Sequence, residues 1–286
     1  MCTSKNKIYD RKEKTSIWFQ SLRDKICNNF EEIEKKLTNF ENITIKPSKF
    51  KSTKWKREGG GGGEISIMKG CVFEKVGVNI STVHGKFSDQ FKKQIPGAEE
   101  DGKFWASGIS VVAHPMNPHV PAAHMNTRYI CTSKTWFGGG CDLTPVFFDK
   151  NEKYLFHKAL EKSCDKYDKN YYKKFKKWCE DYFYIKHRDE QRGIGGIFFD
   201  YLKSSSFEND FNFTKEIGSI FNDVYSQIIL KKINKKWTTD HKNQQLFKRG
   251  RYVEFNLMYD RGTQFGLKTG GNIDAILMSL PPTAKW

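Results

Sequence analysis

Residues 104–148, FWASGISVVAHPMNPHVPAAHMNTRYICTSKTWFGGGCDLTPVFF, constrain the rest of the chain more than any other stretch. They hold three charged side chains, Arg128, Lys134 and Asp142, in a protein that is 29% charged. They also hold three of its seven histidines, His114, His119 and His124. Unpaired charges are costly to bury, so a low-charge segment inside a highly charged chain belongs to the interior. Pro115, Pro118 and Pro121 rule out a helix there. The segment reads as strands joined by a rigid loop, with His114 ending one strand and His124 starting the next. A hairpin would bring those two ends together. Polar groups kept in such a segment must be satisfied or must serve a ligand. Ser110, His114, His124, Asn126, Arg128 and Asp142 are therefore candidates for the polar groups of an apolar pocket.

The flanking sequence extends this pattern. From 64 to 142 the segments EISIM, GCVFEKVGVNISTVHG, FWASGISVVAH, HMNTRYICTS and TWFGGGCDL are rich in β-branched and aromatic residues and separated by turn residues. Strands that follow one another without helices form an antiparallel sheet. Helical periodicity marks 15–38, with Thr15 or Ser16 as the cap and Trp18, Leu22, Ile26, Phe30, Ile33 and Leu37 as its stripe. It also marks 150–190 and 214–233. An irregular arm over 46–63 ends in REGGGGG, which reads as a linker or as a lid. RYVEFNLMYD (251–260) alternates like a strand, with Val253, Phe255, Leu257 and Tyr259 on one face and Glu254, Asn256 and Asp260 on the other. RGTQFGLKTGG then reads as a glycine-punctuated turn, and AILMSLPP (275–282) as a last strand. Strands, helices and returning strands predict a single α+β domain over 1–286, a large antiparallel sheet flanked by helices. RGIGG (192–196) is weak as a phosphate loop, since no strand–turn–helix order surrounds it.

Bulk properties exclude several classes. No apolar run approaches the roughly 20 residues of a membrane span, and the N-terminus has no apolar core of a secretory signal. Seven cysteines, an odd count without a CxxC, fit reduced thiols in a cytosol-like compartment. The net charge of +16 admits nucleic acid, an anionic surface or an acidic small substrate. The excess sits in DKYDKNYYKKFKKW (165–178) and LKKINKKW (230–237), as lysines on solvated helix faces, while the pocket segment has two bases and one acid. This favours a small acidic substrate, drawn in by long-range charge, over nucleic acid.

Several long strings then carry a resemblance. REGGGGG, CVFEKVGVNIS, GISVVAHPMNPHVPAAHMNTRY, WFGGGCDLTP, YYKKFKKWCEDYFYIKHRDEQRGIGGIFFDYL, RGRYVEFNLMYDRGTQFGLKTGG and ILMSLPP run in order from about residue 10 to the C-terminus. The chain resembles the oxygen-dependent coproporphyrinogen III oxidase family. The resemblance implies a large antiparallel sheet flanked by helices, a homodimer, and a location in the cytoplasm, or in the mitochondrial intermembrane space if the chain is processed. It implies oxidative decarboxylation of two propionates of coproporphyrinogen III to vinyl groups, giving protoporphyrinogen IX in haem biosynthesis. Dioxygen is the oxidant, carbon dioxide and hydrogen peroxide leave, and no metal or organic cofactor is required.

The family's site residues carry over by position. The substrate serine falls on Ser110, the proton donor on His124, and the substrate-contacting N-x-R on Asn126, Thr127 and Arg128. The acid–base pair falls on Asp260 and Arg261, and the substrate-contacting glycine turn on Gly270 and Gly271; Asp142 joins them as a pocket residue. If a divalent metal binds, His114, His124, His157 and His187 are its candidates. Two departures stand out. Asn272 stands where the family usually has arginine, which leaves a carboxylate contact to a neighbour such as Lys268, and the chain stops at Trp286 where members usually continue. The chemistry agrees with the residues: a flat apolar macrocycle edged by four carboxylates needs apolar walls, arginines such as Arg128 and Arg261, and an acid or base near the pyrroles.

Overall fold

The strand following the proline loop shows the organising principle. Along β5 (Ala122–Cys131) buried and half-buried residues alternate strictly. Side chains of a strand point alternately to opposite faces, so this alternation means one closed face and one more open face. The computed structural model describes residues 2–268 and 270–286, with side chains described except at 2–5, 90, 91 and 268.

Seven strands form one antiparallel sheet in the order β1 (Lys51–Lys56), β2 (Gly61–Met68), β3 (Phe73–Lys86), β4 (Lys103–Pro115), β5, β6 (Thr135–Thr144) and β9 (Gly195–Leu202). The expected strands of 64–142 are all present. A short helix α2 (Asp89–Lys92) lies in the β3–β4 connection, and a two-stranded ribbon, β7 (Tyr184–Ile185) with β8 (Glu190–Gln191), precedes β9. The fold is α+β, as expected.

The closed face packs on α1 (Cys2–Glu34), α3 (Lys150–Asp165) and α5 (Phe207–Lys232). Val78, Val111, Met125, Tyr129, Phe137, Cys141 and Phe199 meet Leu22, Phe30, Phe156, Ile217 and Phe221 there in one continuous core. The end of α1 is tied to β3 by Glu34, which is fully buried. Its carboxylate accepts from the backbone N–H groups of Cys71, Val72 and Phe73 at 2.7, 2.9 and 2.9 Å. The helix begins well before the expected residue 15, and neither Thr15 nor Ser16 caps it. Their hydroxyls donate back to the carbonyls of Arg11 and Glu13 from within the helix.

The glycine run is neither a linker nor a free lid. Gly59 and Gly60 turn the β1–β2 hairpin, and Gly61, Gly62 and Gly63 lie within β2, all paired to β3 and the last two also to β1. A Cβ on Gly63 would meet the Trp55 ring at 2.6 Å, so the missing side chain lets that indole lie on the sheet.

The C-terminal quarter departs most from expectation. Residues 251–260 are not a strand; 251–258 continue α6 (Thr239–Met258) and 259–260 lead into the next helix. Thr238 and His241 form a capping box at its start, and the buried residues Leu246, Arg249, Tyr252, Phe255 and Asn256 follow helical spacing. The apparent alternation comes from apolar residues such as Leu257, which is 47% exposed. The expected turn at 261–271 is largely α7 (Arg261–Lys268), and the expected last strand is α8 (Ile273–Leu277) followed by irregular chain. The helical region 150–190 also breaks, into α3, α4 (Tyr171–Tyr182) and the β7–β8 ribbon, which a single turn of 3-10 helix, Lys186–Arg188, closes.

Candidate active site

Strand register assembles the open face in rows. One row runs Gly63, Ser81, Gly108, Arg128, Gly138; the next runs Ile65, Asn79, Ser110, Asn126, Gly140, Phe198. A third runs Ile67, Gly77, Val112, His124, Asp142, Gly196. Glycine recurs in every row, so much of this surface is bare backbone. The result is a flat floor from which a few polar groups stand up. Helices α6, α7 and α8 lie on the same side. Met278 packs over Gly77, and Ala275 joins Ile65. Helix α7 reaches from Asp260, held by Tyr182 above β9, to Phe265 against Phe87 beyond β3.

His124 is the best-defined group on this floor. Its Nδ1 lies 2.9 Å from Asp142 Oδ1. Burial works to raise the Asp142 pKa, but the Arg192 charge and the His124 hydrogen bond outweigh it and hold the carboxyl below its usual range. An ionised carboxylate only accepts, so His124 Nδ1 carries the proton. Nε2 then faces the open side and accepts from Asn126 Nδ2 at 3.2 Å. Asp142 thus fixes the orientation of the imidazole instead of reaching the open floor, being 2% exposed.

Arg192, which sequence reasoning passes over, locks this arrangement. Its Nη2 donates to both Asp142 oxygens, at 2.8 and 2.7 Å, and Nη1 donates to Asn256 Oδ1 at 3.1 Å. The guanidinium lies 3.9 Å from the Phe183 ring centroid and 4.6 Å from that of Tyr252. In sequence its segment suggests only a weak phosphate loop, while its true partner lies fifty positions away.

Ser110, Asn126 and Arg128 share the floor with His124. Thr127 does not: its side chain points to the helix face and is fully buried. The middle residue of an N-x-R on a strand must point away from its neighbours. Arg128 Nη2 pairs with Asp200 Oδ2 at 2.8 Å, and Nη1 makes a long 3.5 Å contact with Asn126 Oδ1. Asp200 is not anticipated by the sequence either.

Asp260 stands at the start of α7. Its Oδ1 accepts from Tyr182 Oη at 2.8 Å, and its Oδ2 accepts from Thr263 N at 2.6 Å, capping the helix. The Tyr182 ring stacks on Phe198 at 4.5 Å, which connects Asp260 to the floor. Arg261 is exposed, with its guanidinium 5.3 Å from the Tyr182 ring centroid. Among the described residues it makes no ion pair with Asp260. Gly270, at φ 70°, and Gly271 form the α7–α8 junction, where Gly271 N donates to Gly266 O. Asn272 acts locally, since its side chain accepts from Ala275 N at 2.8 Å and caps α8. The Lys268 side chain, expected to substitute for the missing arginine, lies outside the described residues.

The four histidines that are candidate metal ligands do not converge. His114 bonds Ser279 O, His157 bonds Tyr172 Oη and Ile194 O, and His187 bonds Tyr259 Oη and Glu254. Among the described residues no three His, Cys, Asp or Glu side chains gather as a ligand set. His114 lies one row beyond His124, beside a small cavity shared with Thr144, Gln245, Arg249 and Tyr252. Its pKa is lowered to about 3, by burial first and then by Arg249.

Comparison with known proteins identifies relatives over nearly the whole chain. The family model described as coproporphyrinogen III oxidase matches residues 14–286. A protein of Rickettsia africae (strain ESF-5) named oxygen-dependent coproporphyrinogen-III oxidase is 58% identical over 277 residues, 97% of this chain and 99% of the relative. A protein of the same name from Rickettsia bellii (strain RML369-C) is 58% identical over 275 residues, 96% of this chain and 98% of the relative. Match and identity over nearly the whole length establish that the chain belongs to the coproporphyrinogen III oxidase family.

Proposed function

We propose that the chain is an oxygen-dependent coproporphyrinogen III oxidase, converting two propionates of its substrate to vinyl groups in haem biosynthesis. The observation that carries this reading is 58% identity across 97% of the chain to a protein of that name. The floor supports it physically. A flat tetracarboxylate macrocycle needs a surface without protruding side chains, and glycine in every row supplies one. Ser110, Asn126 and Arg128 then hold its edge, with Gly270 and Gly271 above. His124, oriented by Asp142 and Arg192, moves protons through Nε2, and Asp260 with Arg261 serves as the second acid–base pair. Thr127 supports the strand from behind.

Dioxygen is the co-substrate, and the electron-rich macrocycle supplies the reducing power without a metal or organic cofactor. The working form is a homodimer; the exposed Phe247, Leu257, Met258, Ile273 and Trp286 on the α6–α8 side give it an apolar surface to bury. Bacterial relatives, and the absence among described residues of any helix long and apolar enough to cross a membrane, favour the cytoplasm.

An aerobic assay with coproporphyrinogen III, followed by chromatography of the products, tests the reading. A divinyl product that requires oxygen and forms undiminished with chelator is expected. No vinyl product would overturn the assignment; activity lost to chelator and restored by metal would overturn the cofactor-free mechanism.

A further inference from the structure

The molecule contains two Arg–Asp pairs on the same face, and they are built differently. In the Arg192–Asp142 pair both carboxylate oxygens take hydrogen bonds from the guanidinium, and both side chains are 2% exposed. Rings close over that guanidinium, and a third residue, Asn256, holds it. This pair is sealed. In the Arg128–Asp200 pair Arg128 Nη2 lies 2.8 Å from Asp200 Oδ2 without the paired hydrogen bonds of the first, and the Asp200 and Arg128 side chains are 11% and 29% exposed. The other Asp200 oxygen accepts from the backbone N–H of Tyr201 at 3.0 Å. Tyr201 itself adopts φ 53°, so the chain bends sharply where it presents Asp200. Gly138 makes the pairing possible: a Cβ there would lie 2.6 Å from Asp200 Oδ1 and 2.9 Å from Arg128 Nε.

A guanidinium has five N–H donors in one plane, and one carboxylate oxygen leaves most of them for another partner. One-point ion pairs at a half-exposed position are weak, and bidentate ones are stronger. We propose that Asp200 is a displaceable internal stand-in for a substrate carboxylate. It holds Arg128 in place and compensates its charge between turnovers, and it gives way to a propionate when the macrocycle binds. Asp200 thereby sets the affinity of this position and discriminates against ligands with no carboxylate to exchange for it. A like-charged group beside the incoming carboxylate costs binding free energy, so Asp200 weakens substrate binding. A purely supporting residue would strengthen it.

This inference rests on the reading that Arg128 takes a substrate carboxylate, and the test separates the two. Coproporphyrin III, the oxidised and fluorescent tetracarboxylate, is titrated into the wild type, Asp200→Asn, Arg128→Met and the double variant. Asp200→Asn is expected to bind about tenfold tighter than the wild type, and this gain should vanish in the Arg128→Met background. Equal or weaker binding by Asp200→Asn, with a native circular dichroism spectrum, overturns the inference, as does a gain that persists without Arg128. Should Asp200→Asn misfold, Asp200→Ser, which keeps an acceptor for Tyr201 N, carries the same expectation. If Arg128→Met binds as the wild type does, the underlying reading fails; if it weakens binding while Asp200→Asn changes nothing, only the inference fails.

Discussion

Consecutive residues of β5 belong to two different chemistries. Met125, Thr127 and Tyr129 face the helices, where Met125 and Tyr129 join one continuous apolar core. His124, Asn126 and Arg128 face the open floor, beside bare glycine backbone. The two sets differ only in parity along one strand. A slip of one residue would exchange them entirely, so the apolar face pins the register that the polar face needs. Stability and chemistry are thus carried by interleaved residues, and substitutions should separate them cleanly.

The largest effects are expected on the open face. His124→Gln removes the proton-transferring nitrogen and leaves the Asp142–Arg192 pair in place. Turnover should fall by about 10²–10⁴, with the melting temperature nearly unchanged; a rate within tenfold of wild type would remove His124 from the mechanism. Asp260→Asn is expected to lose rate on the same scale. Asparagine is as good a helix cap as aspartate, so α7 is retained and only the charge goes. Substrate binding measured beside turnover distinguishes this outcome from local unfolding.

The reciprocal change is Met125→Ala on the closed face, where the side chain is fully buried. It should cost about 2–5 kcal/mol of stability, read by denaturant unfolding, while turnover per folded molecule stays near wild type. A large loss of turnover in the folded fraction would mean that the two faces are not separable. Arg128→Lys keeps the charge but loses the planar fork, and should lower kcat/KM by about tenfold; unchanged kinetics would argue that Arg128 contributes charge alone.

A further effect, on stability and only in acid, concerns His114, at the far end of the floor. Its folded pKa, about 3, lies below the unfolded value near 6.5, so the unfolded chain binds the extra proton between those limits. Stability from this group is therefore present above about pH 6.5 and declines as pH falls, by about 1.4 kcal/mol per unit. His114→Gln should flatten the acid limb of a stability–pH curve; an unaltered slope would show that His114 is protonated without penalty.

Much of this is legible in the sequence, for local reasons. β-Branched alternation marks the strands, and low charge marks the window that supplies the floor. Ser110, His114, His124, Asn126 and Arg128 lie on one face because the strands carrying them are adjacent in sequence. What escapes depends on distant contacts. Arg192 and Asp200 acquire meaning only once β9 pairs with β6. Helices α6 to α8 resemble strand and turn because apolar side chains on their exposed sides imitate a strand, while their true determinants are caps at Thr238, Asp260 and Asn272. The misplacement of Thr127 is avoidable, since parity alone puts it behind its neighbours.

The sheet order follows the chain from β1 to β6, with each strand paired to the one before it. Every closure on that path is local in sequence, so pairing costs little loop entropy. Most of the floor lies within residues 61–144, whereas its β9 edge, its locking arginine and its roof come from β9, the β8–β9 connection and α6–α8 downstream. A chain emerging from the ribosome N-terminus first would therefore expose the floor before it can be covered. Glycine and polar groups make that exposure tolerable, because a bare polar surface offers nascent neighbours little to adhere to. The opposite face has no such tolerance, and α1, synthesised before any strand, is already at hand to shield it.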